Sequence, residues 1–121
     1  MKRLKAHYSC NVELALEFVG GKWKTVILAW LKEGPHRYGE LRAKIPTISD
    51  KVLTERLKEL EQLDLVERAN GGAGSASVYR LSSRGESLRP VLEALYHWGK
   101  ATARELPVTI GADVPRSANP R

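Results

Sequence analysis

The chain has a single cysteine, Cys10, so no disulfide can form within it, and redox chemistry at that thiol needs a second chain or a small thiol. No stretch approaches the roughly 18 consecutive apolar residues of a membrane span. The opening MKRLKAHYSC also lacks the apolar run of a secretion signal. A cytoplasmic location without a membrane partner is expected. No paired carboxylates, no cysteine–histidine constellation and no thiolate cluster stand at a readable spacing, and His7, His36 and His97 are scattered. These absences argue against an enzyme, a cofactor and a metal site, since thiolate metal sites draw on several cysteines. With 121 residues, one domain with one core is the expectation.

What the chain does have is positive charge. Lys and Arg number 20 against 14 Asp and Glu, a formal net charge of +6, which favours a polyanionic partner such as nucleic acid. Lys2, Arg3 and Lys5 stand in residues 1–9 with no acid among them, which reads as a basic arm or equally as a solvated terminus.

The stretch GGKWKT, Gly20 to Thr25, raises the question of a nucleotide phosphate loop. Aligned on Gly21 and Lys22, the pattern G-x-x-x-x-G-K-[ST] fails twice: Trp23 stands at the hydroxyl position and Leu16 at the first glycine. The preceding NVELALEFV has helical rather than strand spacing. The glycines need another explanation.

Val12, Ala15, Leu16 and Val19 recur at i, i+3, i+4 and i+7, which predicts a first helix with one buried face, capped by Asn11 and stopped by Gly20. A second helix follows with Trp23, Val26, Ile27, Trp30 and Leu31, made apolar almost all round by Leu28 and Ala29, hence central. Gly34 and Pro35 end it. HRY suits a very short strand, and Leu41 and Ile45 mark a short third helix that stops at Pro46. Ser49 then caps a fourth, with Asp50 at its positive end. Leu53, Leu57 and Leu60 line its inner side, while Lys51, Thr54, Glu55 and Lys58 share a polar, exposed side. Two strand-like runs, Leu65 to Ala69 and Val78 to Leu81, flank the uncharged tip NGGAGSAS and read as a β-hairpin. Ser82 or Ser83 caps a last long helix carrying Leu88, Val91, Leu92, Leu95 and Trp98, with Pro90 starting or kinking its second part. Residues 106–121 read as a disordered tail, leaving 10–105 as the domain.

Helices, a short strand, a helix pair across a tight turn and a hairpin describe a mainly α winged helix-turn-helix with an extra C-terminal dimerisation helix. In that motif the second helix of the pair presents its N-terminal residues to the major groove of double-stranded DNA, and the wing reaches along the duplex. Lys51 suits guanine or a phosphate, Thr54 a base or phosphate, Glu55 a cytosine amine and Lys58 the backbone. Taken alone, Lys51, Glu55 and Lys58 would equally suit ion pairs along a solvated helix. Further expected DNA contacts are Ser49, Arg37, Arg68 and Arg80 at the wing base, and Lys22 and Lys24 at the start of the second helix, where free backbone N–H groups could hold a DNA phosphate. Trp23 is expected to pack in the core. The last helix carries more apolar surface than a compact winged domain needs. A homodimer through Leu88, Val91, Leu92, Leu95 and Trp98 would set two recognition helices about 34 Å apart.

The motifs GGKW, GPHRYGELR, IPTISDKVLTERLKELE and YRLSSRG follow one another in an order that resembles the HxlR-type transcriptional regulators of bacteria and archaea, over roughly Cys10 to Gly99. The resemblance implies a homodimeric regulator that binds operator DNA, in some members in response to electrophiles or oxidants. It also implies a sensing role for Cys10, which immediately precedes the expected helix N-terminus and could have Lys5, His7 and Lys22 nearby, all features that lower a thiol pKa. Two features depart from the family's pattern: Asn11 follows the cysteine where proline is common, and the wing tip carries no charge. The competing reading is a winged-helix module that binds protein rather than specific DNA.

Overall fold

The structure, a computed structural model, describes residues 4–70 and 77–111. Two helices come first, α1 (Asn11–Val19) and α2 (Lys24–Leu31), followed by a short strand β1 (His36–Arg37) and the helix pair α3 (Tyr38–Lys44) and α4 (Asp50–Gln62). Strands β2 (Val66–Ala69) and β3 (Val78–Leu81) lead to a single turn α5 (Ser83–Glu86) and the long α6 (Arg89–Ala103). The strands form one antiparallel sheet in the order β1-β3-β2. The mainly helical winged helix-turn-helix is therefore present, and its hairpin is widened to three strands by β1. Lys2 and Arg3 of the expected arm, residues 71–76 of the expected wing tip and the tail from 112 onward lie outside the described residues.

The core forms where the apolar periodicities of several helices meet. Ile27, Leu28 and Leu31 of α2 are buried with Leu41 of α3, with Leu53, Leu57 and Leu60 of α4, and with Tyr79 and Leu81 of β3. Each fully buried leucine or isoleucine contributes about 1.5–3 kcal/mol. Because α2 is apolar nearly all round, it can pack on α1, α4, α6 and β3 at once.

The two glycines of GGKWKT make the link between α1 and α2. Gly20 donates its N–H to the Leu16 carbonyl at 2.7 Å, and a Cβ there would lie 2.5 Å from that same oxygen. Gly21 has φ 95°, a conformation in which side chains are strained. Gly85 answers a second close approach: a Cβ would fall 2.2 Å from the Leu65 carbonyl oxygen, so only glycine lets α5 pack against the strand entry. Ser82 holds this corner. Its hydroxyl donates to Asp64 O at 2.6 Å and accepts from Gly85 N–H at 3.0 Å, which satisfies a buried polar group twice.

Three expectations are corrected. Cys10, in extended backbone conformation, is the N-cap of α1, and Asn11 is its first helical residue. The periodic face of α1 is not buried within the chain: Val12 is 65% exposed and Leu16 55%, and only Phe18 and Val19 reach the core. The expected single last helix is two, although Ser82 caps the first, α5, and Pro90 stands in the first turn of the second, α6, as the sequence suggests.

Candidate nucleic-acid interface

The period of α4 separates its two sides cleanly. Lys51, Thr54, Glu55 and Lys58 are all exposed, opposite the buried Leu53, Leu57 and Leu60. At its start the Ser49 hydroxyl accepts the Val52 N–H at 3.1 Å, so this oxygen caps the helix while its own proton remains able to donate.

A polar cluster fixes α4 against α3. The Tyr38 hydroxyl donates to Asp50 Oδ1 at 2.9 Å and lies 3.5 Å from Thr54 Oγ1. One turn after Tyr38, Arg42 donates from Nε to the same carboxylate oxygen at 2.8 Å and from Nη1 to the Ile48 carbonyl at 2.8 Å. The Tyr38 hydrogen bond, then Arg42, holds the Asp50 carboxyl below its ordinary range, while burial above all raises the Tyr38 hydroxyl. The turn between the two helices is thus spanned by side chains at both ends. Sequence reasoning missed Tyr38 and Arg42. Their i, i+4 spacing on a short helix, ahead of an acidic first residue of the next, was the available signal.

The wing base sorts its arginines by strand alternation. His36, Tyr79 and Arg68 stand in one cross-strand row, and Arg37, Val78 and Ala69 in the next. Arg37 and Arg80 therefore share one face of the sheet, and Arg68 belongs to the opposite one. Arg80 Nε pairs with Glu67, its cross-strand neighbour, at 3.1 Å, and Arg68 lies 3.9 Å from Glu61 near the end of α4. All three arginines are exposed. Ser77 and Asn70 meet at 3.3 Å where the hairpin leaves the described residues.

At the start of α2 the two lysines differ. Lys22 is exposed, with its ammonium 4.9 Å from the centre of the Trp23 ring, which itself packs against the core. Lys24 is only 6% exposed, and its ammonium donates to the Glu17 carbonyl at 2.7 Å. That corrects the expectation for Lys24: its charge closes the C-terminal end of α1 instead of facing a ligand.

The apolar residues assigned to pairing also divide. Leu92 is buried in the chain's own core and Leu88 packs against it, a correction to their place in a partner surface. Val91, Leu95 and Trp98 remain exposed, Trp98 by 70%. With Val12 and Leu16 they leave apolar surface on both α1 and α6.

Cys10 is exposed at the N-terminus of α1. Its thiol is lowered from the ordinary value first by the backbone N–H of Glu13, then by that of Val12, with a smaller contribution from Ser9. The helix N-terminus therefore lowers the thiol as expected, whereas Lys5 takes no part, its Nζ being held by Glu13 Oε2 at 2.9 Å. The other Glu13 oxygen accepts the Ser9 N–H at 2.6 Å and the Ser9 hydroxyl at 2.8 Å.

Among the described residues no helix is long and apolar enough to cross a membrane. The profile of the HxlR-like helix-turn-helix family matches residues 18–106. An uncharacterised HTH-type transcriptional regulator of Methanothermobacter thermautotrophicus is 42% identical over 94 residues, covering 77% of this chain and 72% of that protein. Among solved structures, the redox regulator HypR in its reduced form superposes with a TM-score of 0.74 at 30% identity, over 78% of this chain and 94% of that one. The reduced transcriptional regulator YodB of Bacillus subtilis gives 0.68 at 34% identity, over 82% and 99%, and YodB has also been solved with quinone bound.

Proposed function

The chain belongs to the HxlR-like helix-turn-helix family and is a DNA-binding transcriptional regulator, and from that premise we propose that it reads a two-fold operator as a homodimer, with α4 in the major groove. The observation that carries this reading is the exposed row Lys51, Thr54, Glu55 and Lys58 on a helix whose N-terminus is anchored by Tyr38 and Arg42. Lys51 and Thr54 contact base edges, Glu55 accepts from a cytosine amine, and Lys58 neutralises a phosphate. Ser49 and Lys22 donate to phosphates, and the wing base contributes Arg37 and Arg80 from one face and Arg68 from the other.

Pairing of two copies through Val91, Leu95 and Trp98, joined by Val12 and Leu16 of α1, would remove the exposed apolar surface from water and set the two α4 helices about one helical turn of DNA apart, about 34 Å. Cys10, exposed at the N-cap of the helix that carries Val12 and Leu16, is the redox-responsive group in this reading. Support comes from its lowered thiol and from the redox character of HypR.

The test is selection of bound duplexes from a random-sequence pool, followed by titration of the enriched site at rising salt. A two-fold symmetric site and a steep fall of affinity with salt are expected. The Lys51→Ala, Thr54→Ala double variant should lose about 1–3 kcal/mol of discrimination per base contact removed. Equal affinity of wild type and double variant for the enriched site would overturn the assignment of α4. A chain that enriches no sequence would favour a protein-binding module.

A further inference from the structure

A groove of about 480 Å³ lies between α2 and α6, walled by Val26 and Ala29 on one side and Gly99 on the other, with Ile110 from the segment after α6 adding a third wall. This volume falls within the roughly 300–1,000 Å³ of sites for small organic molecules. The charged side chains that line it are of one sign: Lys32, Lys100 and Arg104, with no carboxylate among the lining residues. Lys32 is buried and its ammonium is held by Glu33 at 2.6 Å, so its charge is matched within the chain. Lys100 and Arg104 stand one turn apart at the exposed end of α6. The Lys100 ammonium lies 3.5 Å from the Tyr96 hydroxyl, a contact long enough to be given up for an anion.

We propose that this groove binds a small organic acid, its apolar body between α2 and α6 and its carboxylate paired with Lys100 and Arg104. A second copy of the chain fits the groove less well. Of the three exposed apolar residues of α6 assigned to pairing, Leu95 lines the groove and Val91 and Trp98 do not, so the two surfaces share one residue, and the cations Lys100 and Arg104 suit an anion better than a second apolar face. The position matters for regulation because α2 packs on α4 as well as on α6. A molecule wedged there acts between the support of the recognition helix and the pairing helix, a consequence that rests on the dimer reading above.

Calorimetric titration of the full chain with 2-naphthoate tests the site, with the neutral 2-naphthylmethanol as its control. Saturable binding of one naphthoate per chain is expected, with the alcohol and the Lys100→Ala, Arg104→Ala variant each weaker by about fivefold or more. Gly99→Phe fills the groove and should abolish binding. A Cβ at Gly99 meets nothing within 4 Å, so this variant should melt no lower than wild type. Undiminished binding by Gly99→Phe, or equal affinity for acid and alcohol, overturns the proposal. Sedimentation separates the two readings: a monomer that still binds naphthoate removes the dimer and keeps the site, whereas a dimer that binds none removes the site.

Discussion

The Tyr38 hydroxyl donates to the Asp50 carboxylate at 2.9 Å, joining the first residue of α3 to the first residue of α4 across the turn between them. Because Thr54 Oγ1 lies 3.5 Å from the same hydroxyl, the contact sets the angle at which the first two turns of α4 leave α3. Tyr38→Phe keeps the ring and removes only the contacts of this hydroxyl, to the Asp50 carboxylate and carbonyl and to Thr54. Affinity for the enriched duplex should fall roughly twofold to tenfold, the range of one ordinary hydrogen bond, while the circular dichroism of the variant matches wild type. Unchanged affinity would mean that the angle is set elsewhere.

That contact also marks where sequence reading stops. The two sides of α4 were legible because a 3.6-residue period separates Leu53, Leu57 and Leu60 from Lys51, Thr54 and Lys58 without knowledge of any neighbour. The cluster of Tyr38, Arg42 and Asp50 depends on two helices meeting; the i, i+4 spacing of Tyr38 and Arg42 places them on one face, but it does not say that Asp50 comes against that face. The same limit explains α1. Periodicity predicted that Val12 and Leu16 share a face, but it does not say whether that face is covered by the chain itself. Lys24 departs from its expected place for a related reason. A lysine beside glycines suggests an anion, yet here the ammonium donates to the Glu17 carbonyl at the end of the preceding helix.

Glu13 supplies a pH signature. Hydrogen bonds from the Ser9 backbone first, then from Lys5, lower its carboxyl from 4.5 to about 2. A carboxyl depressed on folding adds stability above its unfolded value, and that contribution disappears as pH falls through the folded value. The gap in melting temperature between wild type and Glu13→Gln should therefore be full at pH 7, begin to shrink near pH 4.5 and be nearly closed at pH 2. A gap that stays constant across this window would show that the Glu13 contacts do not persist in solution.

Leu92 and Trp98 sit on one helix and should respond oppositely. Leu92 is 2% exposed, so Leu92→Ala should cost about 2–5 kcal/mol in urea unfolding. Trp98→Glu alters a side chain that touches solvent, and its intrinsic effect on the single chain should stay within about 0.5 kcal/mol. Its effect should fall instead on the sedimentation coefficient at micromolar concentration, where the variant becomes monomeric. A Trp98→Glu chain that sediments with wild type places the pairing surface elsewhere.

Cys10 combines the chemistry of a reactive thiol with a position from which a modification would be felt. Its thiolate is stabilised by the N–H groups of Glu13 and Val12 at the open end of α1, the same end-of-helix effect that lowers thiol values at other helix N-termini. It is exposed, so an electrophile can reach it, and with no second cysteine its oxidised partner is the Cys10 of another copy or a small thiol. Addition of a bulky group at the N-cap would displace the Ser9 and Lys5 contacts to Glu13 and shift the start of the helix that carries Val12 and Leu16 toward the pairing surface. Treatment with a quinone or hypochlorite should therefore weaken binding of wild type to the enriched duplex and leave Cys10→Ser unaffected, and a reductant should restore the hypochlorite-treated protein if the product is a disulfide. If treated wild type binds as before, or if Cys10→Ser loses binding equally, the switch is not at Cys10.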